Sequence, residues 1–185
     1  EAELAQLRSA LGAGAGVRCC LSGPTGIGKT ALALEAASEL EDIFDGGVVW
    51  VTASRNRSEG DALATMVHVA RALGFSCQLP PGEMVAFEAF RRAFLVRLFD
   101  RRRLLVLDDV ESVETGRRFV GDEGQGWALL TTTRRAVAEA FGAPEVRVGP
   151  LSEGASLELL TTRLGSARVE ADVEAGGALV RLLGG

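Results

Sequence analysis

Apolar positions along this chain follow two alternating rhythms. Short, mainly apolar runs at Val17 to Leu21, Val48-Val49-Trp50-Val51, Leu104-Leu105-Val106-Leu107, Trp127 to Thr131 and Val146-Arg147-Val148 predict strands. Between them lie stretches with helical spacing. Residues 1–11 place Leu4, Leu7 and Leu11 on one face, and Ala31 to Leu40, Asp61 to Leu73, Met84 to Phe99 and Arg134 to Phe141 read the same way. Gly12-Ala13-Gly14-Ala15-Gly16 breaks the first helix, Ser54-Arg55-Asn56-Arg57-Ser58 ends the second strand, and Pro80-Pro81-Gly82 separates the helices expected at Asp61 to Leu73 and Met84 to Phe99. Strands alternating with helices predict an α/β fold, a three-layer sandwich around a five-stranded, mainly parallel sheet. After Gly149-Pro150 the rhythm changes. Ser152 to Leu164 and Val169 to Leu183 are both helical with no strand between, so residues 1–149 and 150–185 are expected to form separate domains. There is no internal repeat and no low-complexity tract.

Composition narrows the class. An apolar share of 47% with 24% charged residues is globular, and 185 residues suit one domain with a small appendage. A net charge of −5 argues against a broad nucleic-acid-binding face. No apolar run approaches the ~18 residues of a membrane helix, and the first residues lack a signal-peptide pattern. Cys19, Cys20 and Cys77 are odd in number and lack metal-ligand spacing, so reduced thiols in a cytoplasmic compartment are expected. The 20 basic residues include a single lysine, Lys29. In a chain that otherwise uses arginine, that lysine stands out.

Lys29 closes the run Gly23-Pro24-Thr25-Gly26-Ile27-Gly28-Lys29-Thr30, which matches G-x-x-x-x-G-K-[ST] between a strand and a helix. Gly23, Thr25, Gly26, Ile27, Gly28, Lys29, Thr30 and Ala31 are the candidate phosphate cradle. Glycines let backbone N–H groups turn inward, and the helix N-terminus adds partial positive charge. Lys29 can reach the β- and γ-phosphates, and the Thr30 hydroxyl can bind Mg²⁺. The plain alternative is a glycine-rich turn that binds nothing. The motif specifies a nucleoside triphosphate but not a reaction. Asp108 and Asp109 end the third strand, where open α/β sheets bind ligands. Asp108 is the candidate Mg²⁺ ligand through water, and Asp109 the candidate for orienting or deprotonating an attacking water. Otherwise the two acids merely open a loop and one caps the next helix. Glu111 is a rival base or a solvated side chain. Thr131-Thr132-Thr133-Arg134-Arg135 runs from the fourth strand into two arginines. Arg134 can touch a γ-phosphate, or simply be solvated.

In this order the elements resemble the NB-ARC domain of the STAND class of P-loop NTPases. The matching runs are Gly23 to Thr30, Val49-Trp50-Val51-Thr52-Ala53-Ser54, Leu104 to Val110, Leu130-Thr131-Thr132-Thr133-Arg134, and Val148-Gly149-Pro150-Leu151-Ser152 leading into Leu157-Glu158-Leu159-Leu160. The resemblance implies a sheet order of 5-1-4-3-2 and makes Arg134 the sensor arginine. It adds Pro150 as a nucleotide contact and residues 150–185 as the start of a helical lid. It also implies an adenine nucleotide with Mg²⁺, ADP in a closed state and ATP in an open, oligomerising one, with slow hydrolysis as a reset. Implied partners are effector and sensor domains of a longer chain and further copies of itself, with neither nucleic acid nor membrane touched directly. The sequence departs from the family where Pro24-Thr25 replaces a Gly-Met-Gly-Gly pattern and where Glu111 replaces a common tryptophan. It starts at the Glu of a Gly-Arg-Glu run, and Gly184-Gly185 stands where a Gly-Leu-Pro-Leu run begins, so part of the adenine pocket is expected outside these residues.

Three functions compete: a nucleotide-controlled switch, a work-coupled ATPase resembling AAA+ proteins, and an interaction scaffold stabilised by nucleotide. Motor-type relatives usually carry glutamate beside the Mg²⁺ aspartate, and Asp109 at that place favours the switch. The remaining features have plainer readings. His68 is a helix-face histidine and Trp50 a core residue. Arg91, Arg92, Arg97, Arg101, Arg102 and Arg103 form a solvated face or a protomer or effector contact. Arg55 and Arg57 follow the second strand on the loop side that faces a ligand, where a nucleotide or interdomain contact is the sharper alternative to a solvated loop.

Overall fold

Alternation within each strand decides which layer its side chains enter. The structure is a computed structural model that describes residues 2–12, 16–75, 83–120 and 126–183. In β3 (Leu104–Asp108) Leu104 and Val106 point to one core, and Leu105 and Leu107 to the other. An apolar run without polar alternation is what a parallel strand covered on both faces requires. The strands β1 (Arg18–Ser22), β2 (Val48–Thr52), β3, β4 (Trp127–Thr132) and β5 (Glu145–Arg147) form one parallel sheet in the order β2-β3-β4-β1-β5. This is the expected 5-1-4-3-2 order read from the other edge. The register sets Ser22 beside Thr132 and Thr52 beside Asp108, so the functional strand ends lie level.

One face carries α1 (Ala2–Gly12) and α2 (Lys29–Glu39), whose Leu7, Leu11, Ala33 and Ala36 pack with Cys19, Leu21 and Leu129. Trp50 is half-buried at the margin of this core. The other face carries α3 (Glu59–Ala72), α4 (Glu83–Leu98), α5 (Val113–Phe119) and α6 (Arg135–Ala140), with Met66, Phe90, Phe94, Phe119 and Val137 in the core. His68 is exposed on α3.

Three elements differ from the pattern expected along the sequence. The short α5 has no apolar periodicity to announce it. Ser112 caps it by accepting the Thr115 N–H at 3.1 Å, and Gly116 is needed because a Cβ there would sit 2.6 Å from Phe141 Cζ. The helix expected over Val169 to Leu183 is two helices, α8 (Ser166–Glu170) and α9 (Val173–Leu183). Asp172 starts the second by accepting the Ala175 N–H at 2.9 Å, a capping interaction that competes with helix continuation. The polar loop after β2 contains a turn of 3₁₀ helix, Ala53–Arg55, and Arg55 and Arg57 are exposed there.

The chain divides into two compact units, Glu1–Val148 and Gly149–Gly185. The second comprises α7 (Glu153–Leu164), α8 and α9, with Ser152 capping α7 through the Ala155 N–H at 3.2 Å. Among the described residues no helix is long and apolar enough to cross a membrane.

The basic stretch is not uniformly solvated. Arg92 and Arg101 are exposed, but Arg103 is buried. Arg102 lies over the Trp127 and Phe44 rings, 5.2 and 5.7 Å from their centroids. Arg91 donates to Arg117 O at 3.0 Å.

Cys19 and Cys20 are free, buried and on opposite faces of the sheet, while Cys77 lies outside the described residues. Burial pushes the Cys19 thiol up to about 11 and the Cys20 thiol up to about 12. The thiolate is the nucleophile, so neither is expected to alkylate with iodoacetamide near pH 8 until the protein is unfolded. Peptide mass spectrometry after a timed quench reads this, and rapid native labelling of either would contradict the burial. Because folding raises these values, their contribution to stability is complete below the free-thiol value of about 8.5 and is lost as pH climbs towards the folded values.

Candidate functional site

Each glycine of the loop between β1 and α2 has its own reason. A Cβ at Gly23 would lie 2.6 Å from Val148 O, so the exit of β5 excludes any side chain. Gly26 and Gly28 have φ of 80° and 101° with open space around them. There the backbone conformation, not crowding, demands glycine. Thr25 is exposed at the loop's outer face, and Ile27 packs back on Gly23. Helix α2 starts at Lys29 without a side-chain cap from Gly28. The first N–H groups of such a helix have no intrahelical partner, which leaves donors for an anion. Ala31 is exposed in this first turn.

Lys29 is 9% exposed, and its ammonium turns back into the loop. Nζ donates to Gly23 O at 2.9 Å and Pro24 O at 2.7 Å, tying the loop's first residues to the helix that ends it. The next residue faces the sheet: Thr30 Oγ1 donates to Asp108 Oδ1 at 2.9 Å. The structure thus brings together the two residues expected to bind Mg²⁺, although 78 positions separate them in sequence. A hydroxyl and a carboxylate are hard oxygen donors that fit Mg²⁺, which takes one or two protein ligands and fills its other positions with water and phosphate oxygens. Among the described residues no three His, Cys, Asp or Glu side chains converge to offer an all-protein cage.

The other candidates fall less tightly. Asp109 has φ 62°, and its exposed carboxylate has no partner among the described residues. Neither aspartate caps α5, since Ser112 does, which removes the capping alternative. Glu111 is exposed ahead of that cap. Arg134 is exposed just before α6, and its guanidinium has no partner among the described residues. Pro150 belongs to the second unit and is exposed.

Sequence reasoning assigned no role to the hydroxyls of β4. Thr131 Oγ1 donates to Asp108 Oδ1 at 2.7 Å, and Thr132 Oγ1 donates to Val110 O at 2.7 Å while accepting the Arg134 N–H at 3.0 Å. Their signal is polarity in a buried strand: such groups must find partners. Arg118 was also missed. From α5 it donates to Asn56 O and Arg57 O at 3.0 and 3.1 Å, fixing the loop after β2.

A glycine-lysine loop after β1, an acid ending β3, and β4 inserted between those strands define the P-loop NTPase fold. Within it, the family model of the NB-ARC domain matches residues 3–170, and the chain belongs to the NB-ARC family. Solved structures agree on the fold. Cdc6p from Pyrobaculum aerophilum aligns with a TM-score of 0.64 at 19% identity over 88% of this chain. The ORC2 protein of Aeropyrum pernix, solved as ADPNP-ADP complexes, gives 0.59 at 16% over 88%. A signal transduction ATPase with numerous domains and a tetratricopeptide repeat sensor from Pyrococcus horikoshii gives 0.58 at 16% over 97%. The chain spans 48%, 50% and 26% of those three chains. No curated protein matches its sequence.

Proposed function

We propose that this chain is the adenine-nucleotide-binding switch module of a larger signalling protein, with slow Mg²⁺-dependent ATP hydrolysis. The observation that carries the reading is that Lys29 ties together the loop after β1 while the next residue, Thr30, bonds Asp108 at the end of β3. Loop and helix amides, with Lys29, hold the phosphates. Thr30 and Asp108 hold Mg²⁺, which supplies charge neutralisation at the phosphates when bound. Arg134, free to reach outwards, contacts the γ-phosphate and so distinguishes ATP from ADP. Asp109 orients water, and its weaker placement suits slow turnover. The second unit is a helical lid segment that opens with Gly149-Pro150. Two nucleotide states then bias two arrangements of the longer protein, including self-association with ATP. A cytoplasmic location follows from the reduced-thiol reading.

The single lysine makes the phosphate site directly readable. An amine-reactive probe has two targets, Lys29 and the α-amino group. Bound ATP or ADP is expected to protect Lys29 and leave the α-amino group labelled, as scored by peptide mass spectrometry. Equal labelling of Lys29 with and without nucleotide counts against the site. Turnover separates switch from motor: a sustained rate of ~1 per second or more favours a work-coupled ATPase and sinks the slow-switch reading.

A further inference from the structure

The hydroxyls that end β4 are buried yet fully engaged. Thr131 is 1% exposed and Thr132 0%. A hydroxyl has one proton to donate and lone pairs with which to accept. Thr131 Oγ1 accepts the N–H of Asp109 at 2.9 Å and gives its only proton to Asp108 Oδ1 at 2.7 Å. The direction of the chain is therefore fixed: Asp109 N–H to Thr131, Thr131 O–H to Asp108. The main chain repeats the tie, with Val110 N donating to Thr131 O at 2.8 Å, and Thr132 adds its bond to Val110 O. Between these ties Asp109 adopts φ 62°, a left-handed conformation disfavoured for any residue with a Cβ. Held in this way, the peptide after Asp108 cannot relax into a continued strand, and the carboxylate stays aimed at Thr30.

We propose that Thr131 is a positioning residue for Mg²⁺, acting through Asp108. Its hydroxyl orients the Asp108 carboxylate and holds the Asp109 main chain in the turn that presents it. The inference rests on the assignment of Thr30 and Asp108 to Mg²⁺ made above and extends it to a residue that does not touch the ion. Partners that hydrogen-bond a ligating carboxylate set its direction and limit its motion, and their loss weakens metal affinity even though no ligand is removed. Valine at 131 keeps the shape of threonine but leaves both the Asp109 N–H and the Asp108 oxygen short of a partner. Serine keeps the hydroxyl and sheds only a methyl group.

The test measures binding of a non-hydrolysable ATP analogue to the 185-residue chain in Mg²⁺ and in EDTA. The ratio of the two affinities isolates what the metal contributes, and a general loss of stability does not move it. Thr131→Val is expected to lower that ratio about tenfold, and Thr131→Ser to hold it within about twofold of the parent. An unchanged ratio in Thr131→Val, beside a parent that gains from Mg²⁺, overturns the proposal alone. So does a tenfold loss in Thr131→Ser, which decides the matter even if the valine variant does not fold. A parent protein that binds equally well in Mg²⁺ and EDTA overturns the Mg²⁺ assignment itself and the proposal with it.

Discussion

Replacing Lys29 by alanine is expected to weaken binding of both ATP and ADP about a hundredfold. The ammonium is the only side-chain cation of the loop, and charge-assisted hydrogen bonds from it to phosphate oxygens are worth about 3 kcal/mol, which is that factor. A second contribution comes from the protein alone. Nζ ties Gly23 O and Pro24 O to the first turn of α2, so the alanine variant also loosens the cradle that presents the amides. Those bonds join partly exposed groups, and their loss is expected to cost about 1 kcal/mol, a fall of about 2–4 °C in melting temperature. The two effects are separable by calorimetric titration beside a thermal melt of the ligand-free variant. Lys29→Arg is expected to recover little, because a planar fork does not fold back between two carbonyls as a compact ammonium does. Affinity unchanged in Lys29→Ala would remove every nucleotide-based reading of the chain.

The contrast between Lys29 and Arg103 shows what could be read in the sequence. The loop was legible because each of its parts is local: glycines, lysine, hydroxyl, a strand before and a helix after. The sheet was legible because four apolar runs of similar length, separated by helical spacing, leave few ways to pack, and the family resemblance supplied their order. The Asp108–Thr30 contact was expected as shared chemistry, but its distance comes only from the β3 and β1 ends being level. Thr131 was visible as a residue and invisible as a function, because the strand order sets β4 beside β3 without giving the register that brings its hydroxyl to Asp108. Short α5 was missed for a related reason. Its Gly116 looks like a breaker until Phe141 of the neighbouring element takes the space above it. In each case the missing information is the register or packing of an element distant in sequence.

Arg103→Ala is expected to destabilise the protein by about 3 kcal/mol, a fall in melting temperature of about 6–12 °C. Three arginines in succession read as a solvated patch, yet the third is 8% exposed. Its Nη1 donates to Leu98 O at 2.8 Å and Arg97 O at 3.2 Å, carbonyls at the C-terminal end of α4 that have no helical partner. Its Nε donates to Gly46 O at 2.9 Å in the turn before β2. A Cβ at Gly46 would fall 2.5 Å from Arg103 Cγ, so glycine there makes room for the arginine stem. One guanidinium thus fastens the end of α4 to the turn that feeds β2, and alanine leaves three main-chain carbonyls to find water in a partly closed site. The ion pair with Asp100, at 2.8 Å, contributes less because that carboxylate is substantially exposed. The hydrogen bond from Arg103 nevertheless holds the Asp100 carboxyl below its ordinary value, aided by the charges of Arg103, Arg97 and Arg101 against the opposing effect of desolvation. A lowered carboxyl value stabilises the fold above the unfolded value of about 4 and is lost as pH falls through the folded one. The gap between parent and Arg103→Ala should therefore narrow below about pH 4 but not close, because the carbonyl bonds do not titrate. Urea melts at pH 7 and at acid pH measure both parts. A variant within about 0.5 kcal/mol of the parent at pH 7, the behaviour of an ordinary surface arginine, would return Arg103 to the solvated face and leave α4 to end without it.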